Sequence, residues 1–152
     1  MIQRIQSVYL TLVLVFSILC FAFPIASYES ANVDLQFNLI PQTLEINTLP
    51  LILIISVVGI LAAVSVFLYK NRQLQVRVIA VTMLINMIYI GLVFLLYVDK
   101  FSEKLELNFK SAVTITYSAG SILPILSLIL LFLANKAVRN DDRKVRAADR
   151  LR

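Results

Sequence analysis

"LPLILIISVVGILAAVSVFLY", residues 49–69, contains no charged residue and is long enough to cross a hydrocarbon core, which takes about 20 apolar residues. Backbone polar groups have no water partners in lipid, so such a segment must be helical. Three other stretches share this character, and the predicted spans are residues 5–23, 49–69, 78–98 and 112–134. The sequence therefore predicts an all-α integral membrane protein, with a bundle of four transmembrane helices within residues 1–135.

The composition supports this class and argues against an enzyme. The 152 residues have a mean hydropathy of +0.88 and are 15% charged, whereas a soluble domain is typically about 25% charged. There is no His and a single Cys, which removes the commonest general base and the usual soft metal ligands. No nucleophile–base pair, phosphate loop or metal-ligand spacing occurs. We therefore expect no catalytic site, cofactor or metal.

Lys and Arg are distributed unevenly between the two ends of the predicted bundle. Eleven lie in the N-terminal segment, the second connection and the C-terminal segment, whereas three lie in the third connection. Positive charge in short connections stays on the cytoplasmic side. Both termini are therefore predicted to be cytoplasmic.

The two predicted outer loops, residues 24–48 and 99–110, each contain a stretch that alternates between apolar and polar residues. These stretches are "VDLQFNL", residues 33–39, and "KLELNFK", residues 104–110. Alternation with a period of two is typical of half-buried strands. We expect paired strands at about 33–39 and 105–109, which would form a small extracytoplasmic sheet. The alternative is a pair of amphipathic loops that rest on lipid.

The C-terminal segment, residues 136–152, is rich in Ala, Arg and Leu and predicts a cytoplasmic tail helix. It fits a topogenic anchor on anionic lipid, a docking helix for a membrane-protein partner, or a nucleic-acid contact. Asp141, Asp142 and Asp149 weaken both polybasic interpretations, anionic lipid and nucleic acid. The mixed charge instead suits a specific protein contact or internal pairing with Arg72 and Arg77. The candidate lipid or partner contacts are Arg72, Arg77, Arg139, Arg143, Arg146, Arg150 and Arg152.

Inside the predicted helices there is no Asp, Glu, Lys, Arg or His, which argues against ion-coupled transport. Asn86 would hydrogen-bond a neighbouring helix rather than face lipid. Ser118 and Ser121 lie in the polar stretch "TITYSAGSILP", residues 114–124. This stretch is expected to pack against other helices; alternatively, it could open a small hydrated or lipid-binding notch.

The two ends of the chain carry a resemblance. The opening "MIQRIQSVYL" and the ending "FLANKAVRNDDRKVRAADRLR" resemble a family of small four-span proteins from one Gram-negative bacterial phylum, catalogued as domain of unknown function 4293. This resemblance implies four helices and an inner-membrane location, and it implies no activity. The residues that carry it are Gln3, Arg4, Gln6, Asn135, Arg139, Asp149, Arg150 and Arg152.

These features together suggest a non-catalytic inner-membrane protein that serves as an accessory or assembly subunit of a larger membrane complex. Its partner would bind through the tail or the outer loops. The alternative function is small-molecule or lipid handling through the polar part of the fourth helix.

Overall fold

The computed structural model describes residues 3–30, 33–40, 47–109 and 114–149, which form five α-helices and three strands. A 3-10 turn spans Leu68–Lys70, and a π-helical turn spans Val93–Tyr97. In chain order the elements are α1 (Gln3–Ala22), β1 (Ala26–Ser30), β2 (Val33–Phe37), α2 (Leu49–Phe67), α3 (Arg72–Leu92), α4 (Val98–Phe109), β3 (Thr114–Tyr117) and α5 (Ala119–Asp149).

Four helical segments of the described chain are long and apolar enough to cross a membrane. Large apolar side chains such as Leu53, Phe67 and Leu84 are exposed on their outer faces, as lipid-facing positions of a membrane bundle are. The prediction of a multi-pass membrane protein with four apolar helices is therefore confirmed. The segments are Ile5–Ala22, Leu49–Lys70, Arg72–Leu107 and Ala119–Val145.

The helices form a closed ring in the order α1, α2, α3, α5, because α5 packs against both α3 and α1. Small residues allow α1 and α2 to approach closely: a Cβ placed on Gly59 of α2 would lie 3.3 Å from the Cβ of Ser17 on α1. Close approach at small residues is the usual packing mode in lipid, where the hydrophobic effect does not drive helices together.

The third span continues well beyond the bundle. Its apolar segment Arg72–Leu107 contains 36 residues, which as a helix is about 54 Å long. In the π turn, the Val98 N–H bonds to the Val93 carbonyl. Phe94 lies in the same turn, and its ring centroid is 5.5 Å from that of Tyr117 on β3.

The predicted strand at 105–109 is wrong, because this segment lies in helix α4. Phe101 and Leu105, one helical turn apart, are both buried, whereas Leu107 is 72% exposed. A strand would place Leu105 and Leu107 on the same face. A helix separates them and gives α4 one apolar face.

A three-stranded antiparallel sheet with the order β2-β1-β3 lies at the end of the bundle beside α4. The predicted strand at 33–39 is present as β2, but its partner is β1, in which Ala26 pairs with both Phe37 and Tyr117. The prediction that the fourth helix begins at 112 is also wrong. Thr114–Tyr117 forms β3 and α5 begins at Ala119, while residues 112 and 113 lie outside the described part.

Aromatic rings attach the sheet to α4. The centroid of the Phe101 ring lies 4.6 Å from that of the Tyr28 ring and 4.9 Å from that of the Phe37 ring. The Tyr28 hydroxyl donates to the Val98 carbonyl at 3.2 Å. Burial, with smaller effects of Tyr117 and Asp99, raises the pKa of the Tyr28 phenol, so this hydroxyl keeps its proton and remains a donor.

At the opposite end of the bundle, α5 continues without a break as far as Asp149, so the described part of the predicted tail is helical. It is attached to the start of α3 by an ion pair in which Arg72 Nη2 lies 3.2 Å from Asp141 Oδ2. The contact is electrostatic, because its geometry is not that of a well-aligned hydrogen bond. The internal pairing considered for Arg72 is therefore present.

Candidate functional site

A groove of about 750 Å³ opens where α5 leaves the bundle at the tail end. We call it the basic groove. One part of its lining is apolar and comes from α1, α3 and α5: Ile5, Tyr9, Met83, Phe132 and Leu133. The other part carries four cations, all on α5: Lys136, Arg139, Arg143 and Lys144. The described residues that line the groove include no Asp or Glu.

Helical periodicity brings these cations together. Lys136, Arg139 and Arg143 follow one another at intervals of three and four residues, which places them on one face of α5. Phe132 precedes Lys136 by one turn on this face. The groove therefore changes from apolar to basic along a single helix, at the point where the uncharged span ends.

Asn135 connects the two sides of the groove. Its amide nitrogen lies 3.9 Å from the Met83 sulfur on α3 and donates to it. Its carbonyl oxygen accepts a hydrogen bond from Arg139 Nε at 3.1 Å. Asn135 thereby restricts the Arg139 side chain, and the two terminal guanidinium nitrogens have no hydrogen-bond partner within the described residues.

Asn135 and Arg139 are also two of the residues on which the resemblance to the four-span family rests. The family model described as domain of unknown function 4293 (DUF4293) matches residues 2–151. The chain belongs to this family. Neither the search of curated proteins nor the search of solved structures found a match.

In this DUF4293 protein, two of the seven predicted Arg contacts, Arg139 and Arg143, meet in the basic groove. Arg72 instead pairs with Asp141, and Arg77 is exposed on α3 away from the groove lining. The Arg146 side chain and the whole of Arg150 and Arg152 lie outside the described part.

The sequence-based prediction omitted Lys136 and Lys144 because it considered only arginines as contacts. Their spacing from Arg139 and Arg143 along a helix was a signal that could have identified them. The apolar residues Tyr9 and Met83 carried no such local signal, because they reach the groove from α1 and α3.

The predicted intramembrane polar residues lie outside the groove, and Asn86 and Ser118 form contacts between elements. Asn86 Nδ2 of α3 donates to the Pro124 carbonyl of α5 at 3.0 Å. The Ser118 hydroxyl lies 2.8 Å from the Ser27 hydroxyl of β1, and the Ser121 hydroxyl donates to the Ser118 carbonyl at 2.8 Å. Ser118 thus joins the beginning of α5 to the sheet, whereas the Ser121 contact is local to the start of the helix.

The stretch 114–124 is not one continuous helix: it contains β3, a one-residue connection at Ser118 and the beginning of α5. The Gly120 N–H donates to the Pro24 carbonyl at 3.0 Å, and a Cβ on Gly120 would lie 2.4 Å from that oxygen. Main chain from the α1–β1 connection therefore lies directly against the beginning of α5, at the place where the sequence had allowed a notch.

Proposed function

We propose that this DUF4293 protein is a non-catalytic accessory subunit of a larger complex in the bacterial inner membrane, with both termini in the cytoplasm. In this proposal the bundle holds the subunit in the membrane, and the end of α5 binds a partner protein. The observation that carries the proposal is the extension of α5 beyond its ion pair with α3.

The extension consists of residues 142–149, which we call the docking arm. Its eight residues measure about 12 Å along the helix axis. Arg143, Lys144 and Val145 are exposed on it, and Val145 is 40% exposed. An exposed apolar side chain between charged ones on a helix is suited to docking in a groove of another protein.

The course of the chain supports the orientation. The start of α1, the α2–α3 connection with the beginning of α3, and the end of α5 all lie at one end of the bundle, and nine Lys and Arg of the described residues belong to these segments. The sheet and α4 lie at the other end, where the described residues include two Lys, Lys100 and Lys104. Such a difference favours a cytoplasmic location for the first end.

The interior supports a non-catalytic role. None of the fully buried side chains of the described residues is Asp, Glu, Lys or Arg. The buried polar residues are Gln, Ser, Thr and Asn, and Asn86, Ser17 and Ser65 form hydrogen bonds to backbone carbonyls. These contacts stabilise helices and helix packing.

The test is purification of the full chain from native membranes in mild detergent, with crosslinking and mass spectrometry. A chain truncated after Asp142 removes most of the arm and keeps Asp141, Lys136 and Arg139. We expect a stoichiometric partner that crosslinks to the arm and is lost on truncation. The point variant Val145→Asp should also lose it, whereas Arg143→Lys, which keeps the charge, should retain it. A full chain that purifies with no stoichiometric protein would overturn the proposal.

A further inference from the structure

We propose that the basic groove binds one anionic phospholipid, with the phosphate headgroup against the cations of α5 and the upper acyl chains against the apolar lining. The groove shares Arg143 and Lys144 with the docking arm, but lipid binding rests on the groove lining itself and does not depend on a partner protein.

Charge complementarity indicates an anion. Lys136, Arg139, Arg143 and Lys144 line one groove, and none of the described lining residues offsets their charge. Two neighbouring carboxylates on α5, Asp141 and Asp142, are absent from the lining, and Asp141 pairs with Arg72 of α3. Basic pockets between helices at the cytoplasmic surface are suited to phosphate-containing lipid headgroups.

The apolar lining indicates a lipid rather than a soluble anion. Ile5 is 51% exposed and Phe132 is 57% exposed, and both lie in the same groove as the cations. A free phosphate ion would contact the cations and gain nothing from these side chains. A phospholipid would cover both parts, because burying apolar surface stabilises binding in proportion to its area.

The position of the groove along the span matches the depth of a headgroup. Lys136 is the first charged residue after the apolar part of α5. Tyr9 of α1 lines the same groove, and Tyr is enriched where hydrocarbon meets headgroups. A lipid in the surrounding bilayer could thus enter the groove from the side without leaving its normal depth.

Asn135 acts as a positioning residue for this site. Its contacts with Met83 and with Arg139 Nε hold the guanidinium at the rim before any ligand arrives. A side chain that is already ordered loses less conformational entropy on binding. The terminal guanidinium nitrogens then remain for a phosphate, which an Arg can bind through two parallel hydrogen bonds.

The test measures lipid binding to the full purified chain by native mass spectrometry. The delipidated protein is titrated with dioleoyl phosphatidylglycerol and, separately, with dioleoyl phosphatidylcholine. We expect one tightly bound phosphatidylglycerol per chain. The double variant Lys136→Gln/Arg139→Gln should reduce the preference for phosphatidylglycerol at least about fivefold, the factor that corresponds to about 1 kcal/mol for one basic residue at a membrane surface.

The matched control is Lys70→Gln/Arg77→Gln. It removes two exposed cations from the same end of the bundle, and neither residue lines the groove. We expect its lipid preference to stay within about twofold of the parent chain, a change below 0.5 kcal/mol. An equal loss of phosphatidylglycerol preference in both double variants would indicate general attraction to surface charge and would overturn the proposed site.

Two further outcomes separate a lipid from other ligands. Glycerol 3-phosphate carries the phosphate without acyl chains and should not displace the bound lipid at equal concentration; displacement at equal concentration would make the groove a soluble-anion site. A photocrosslinker in place of Ile5 should capture lipid in native membranes, and capture of a protein segment there would overturn the lipid assignment. Because the titration uses the purified chain, its failure is distinguishable from the absence of a docking partner.

Discussion

The side-chain amide of Asn86 on α3 donates a hydrogen bond to the main-chain carbonyl of Pro124 on α5, at 3.0 Å. Asn86 is fully buried, so this bond joins two adjacent helices within the apolar part of the bundle. Single hydrogen bonds of this kind contribute about 0.6–2 kcal/mol in membrane proteins.

The variant Asn86→Asp tests this contact. It preserves the shape of the side chain but places an oxygen against the Pro124 carbonyl and introduces a charge into the apolar interior. We expect a loss of about 2.5–3.5 kcal/mol in the free energy of unfolding at neutral pH, measured by denaturant titration in mild detergent with circular dichroism.

Asn71→Asp is the control for that measurement. Asn71 precedes α3, where its side-chain oxygen accepts a hydrogen bond from the Leu74 N–H, and an Asp oxygen can accept the same bond. The stability of this variant should stay within about 0.5 kcal/mol of the parent chain. If both variants were equally stable, the Asn86 contact would not be important for the bundle.

Gly120→Ala should separate the beginning of α5 from the α1–β1 connection. The new Cβ would lie 2.4 Å from the Pro24 carbonyl oxygen and 2.7 Å from the Phe23 carbonyl oxygen, and both are main-chain atoms. We expect a loss of about 2–3 kcal/mol in the free energy of unfolding, because the backbone must move to remove the overlap.

The other two glycines of the chain provide a graded comparison in the same assay. Gly91→Ala meets no atom within 4 Å and should be neutral or stabilising by up to about 1 kcal/mol, because Ala favours a helix over Gly. In Gly59→Ala the new Cβ would lie 3.3 Å from Ser17 Cβ. Its effect on the free energy of unfolding should lie between those of Gly120→Ala and Gly91→Ala. Equal effects at Gly120 and Gly91 would contradict the close approach.

Phe101→Ala should weaken the attachment of the sheet to α4. The ring contacts both Tyr28 and Phe37, and the side chain is 4% exposed. We expect a loss of about 3–4 kcal/mol in stability. Leu107→Ala on the same helix, at a position 72% exposed, should cost less than about 0.5 kcal/mol. Thermal unfolding in detergent tests the pair, and the reverse order of effects would contradict the helical face assigned to α4.

The ion pair between Arg72 and Asp141 should make the stability of the tail depend on both residues together. Their side chains are 24% and 13% exposed, so solvent screens the pair only partly. A double-mutant cycle with Arg72→Gln, Asp141→Asn and the double variant should yield a coupling energy of about 1 kcal/mol. Strictly additive effects would show that the two charges do not stabilise each other.

Cysteine accessibility in intact cells tests the orientation. In a Cys20→Ala background, Leu107→Cys at the sheet end should react with a membrane-impermeant maleimide once the outer membrane is opened. Lys144→Cys on the docking arm should react only after the inner membrane is permeabilised. The parent chain is the control, since Cys20 is buried. Labelling in the reverse order would place both termini outside.

The sequence alone determined the membrane class, the number of apolar helices and the helical character of the described tail. These follow from local properties. A long uncharged stretch can satisfy its backbone hydrogen bonds in lipid only as a helix, whatever surrounds it. The expectation that Asn86 contacts another helix had the same basis, because an amide within an apolar span has few other partners.

The tertiary structure decided the conformation of residues 98–109 and the pairing of the strands. The stretch "KLELNFK" alternates with a period of two, yet Phe101 and Leu105 are also spaced by one helical turn, so its local pattern fits a strand and a helix alike. The long helix α3 continues into this stretch through the π turn, and Tyr28 and Phe37 of the sheet cover its apolar face.

Strand β2 pairs with β1, which is close in sequence, and β1 pairs with β3, which is distant. The basic groove likewise combines α1, α3 and α5. Such long-range contacts depend on how the helices pack, and packing in lipid is set by shape and polar contacts that no single stretch of sequence contains.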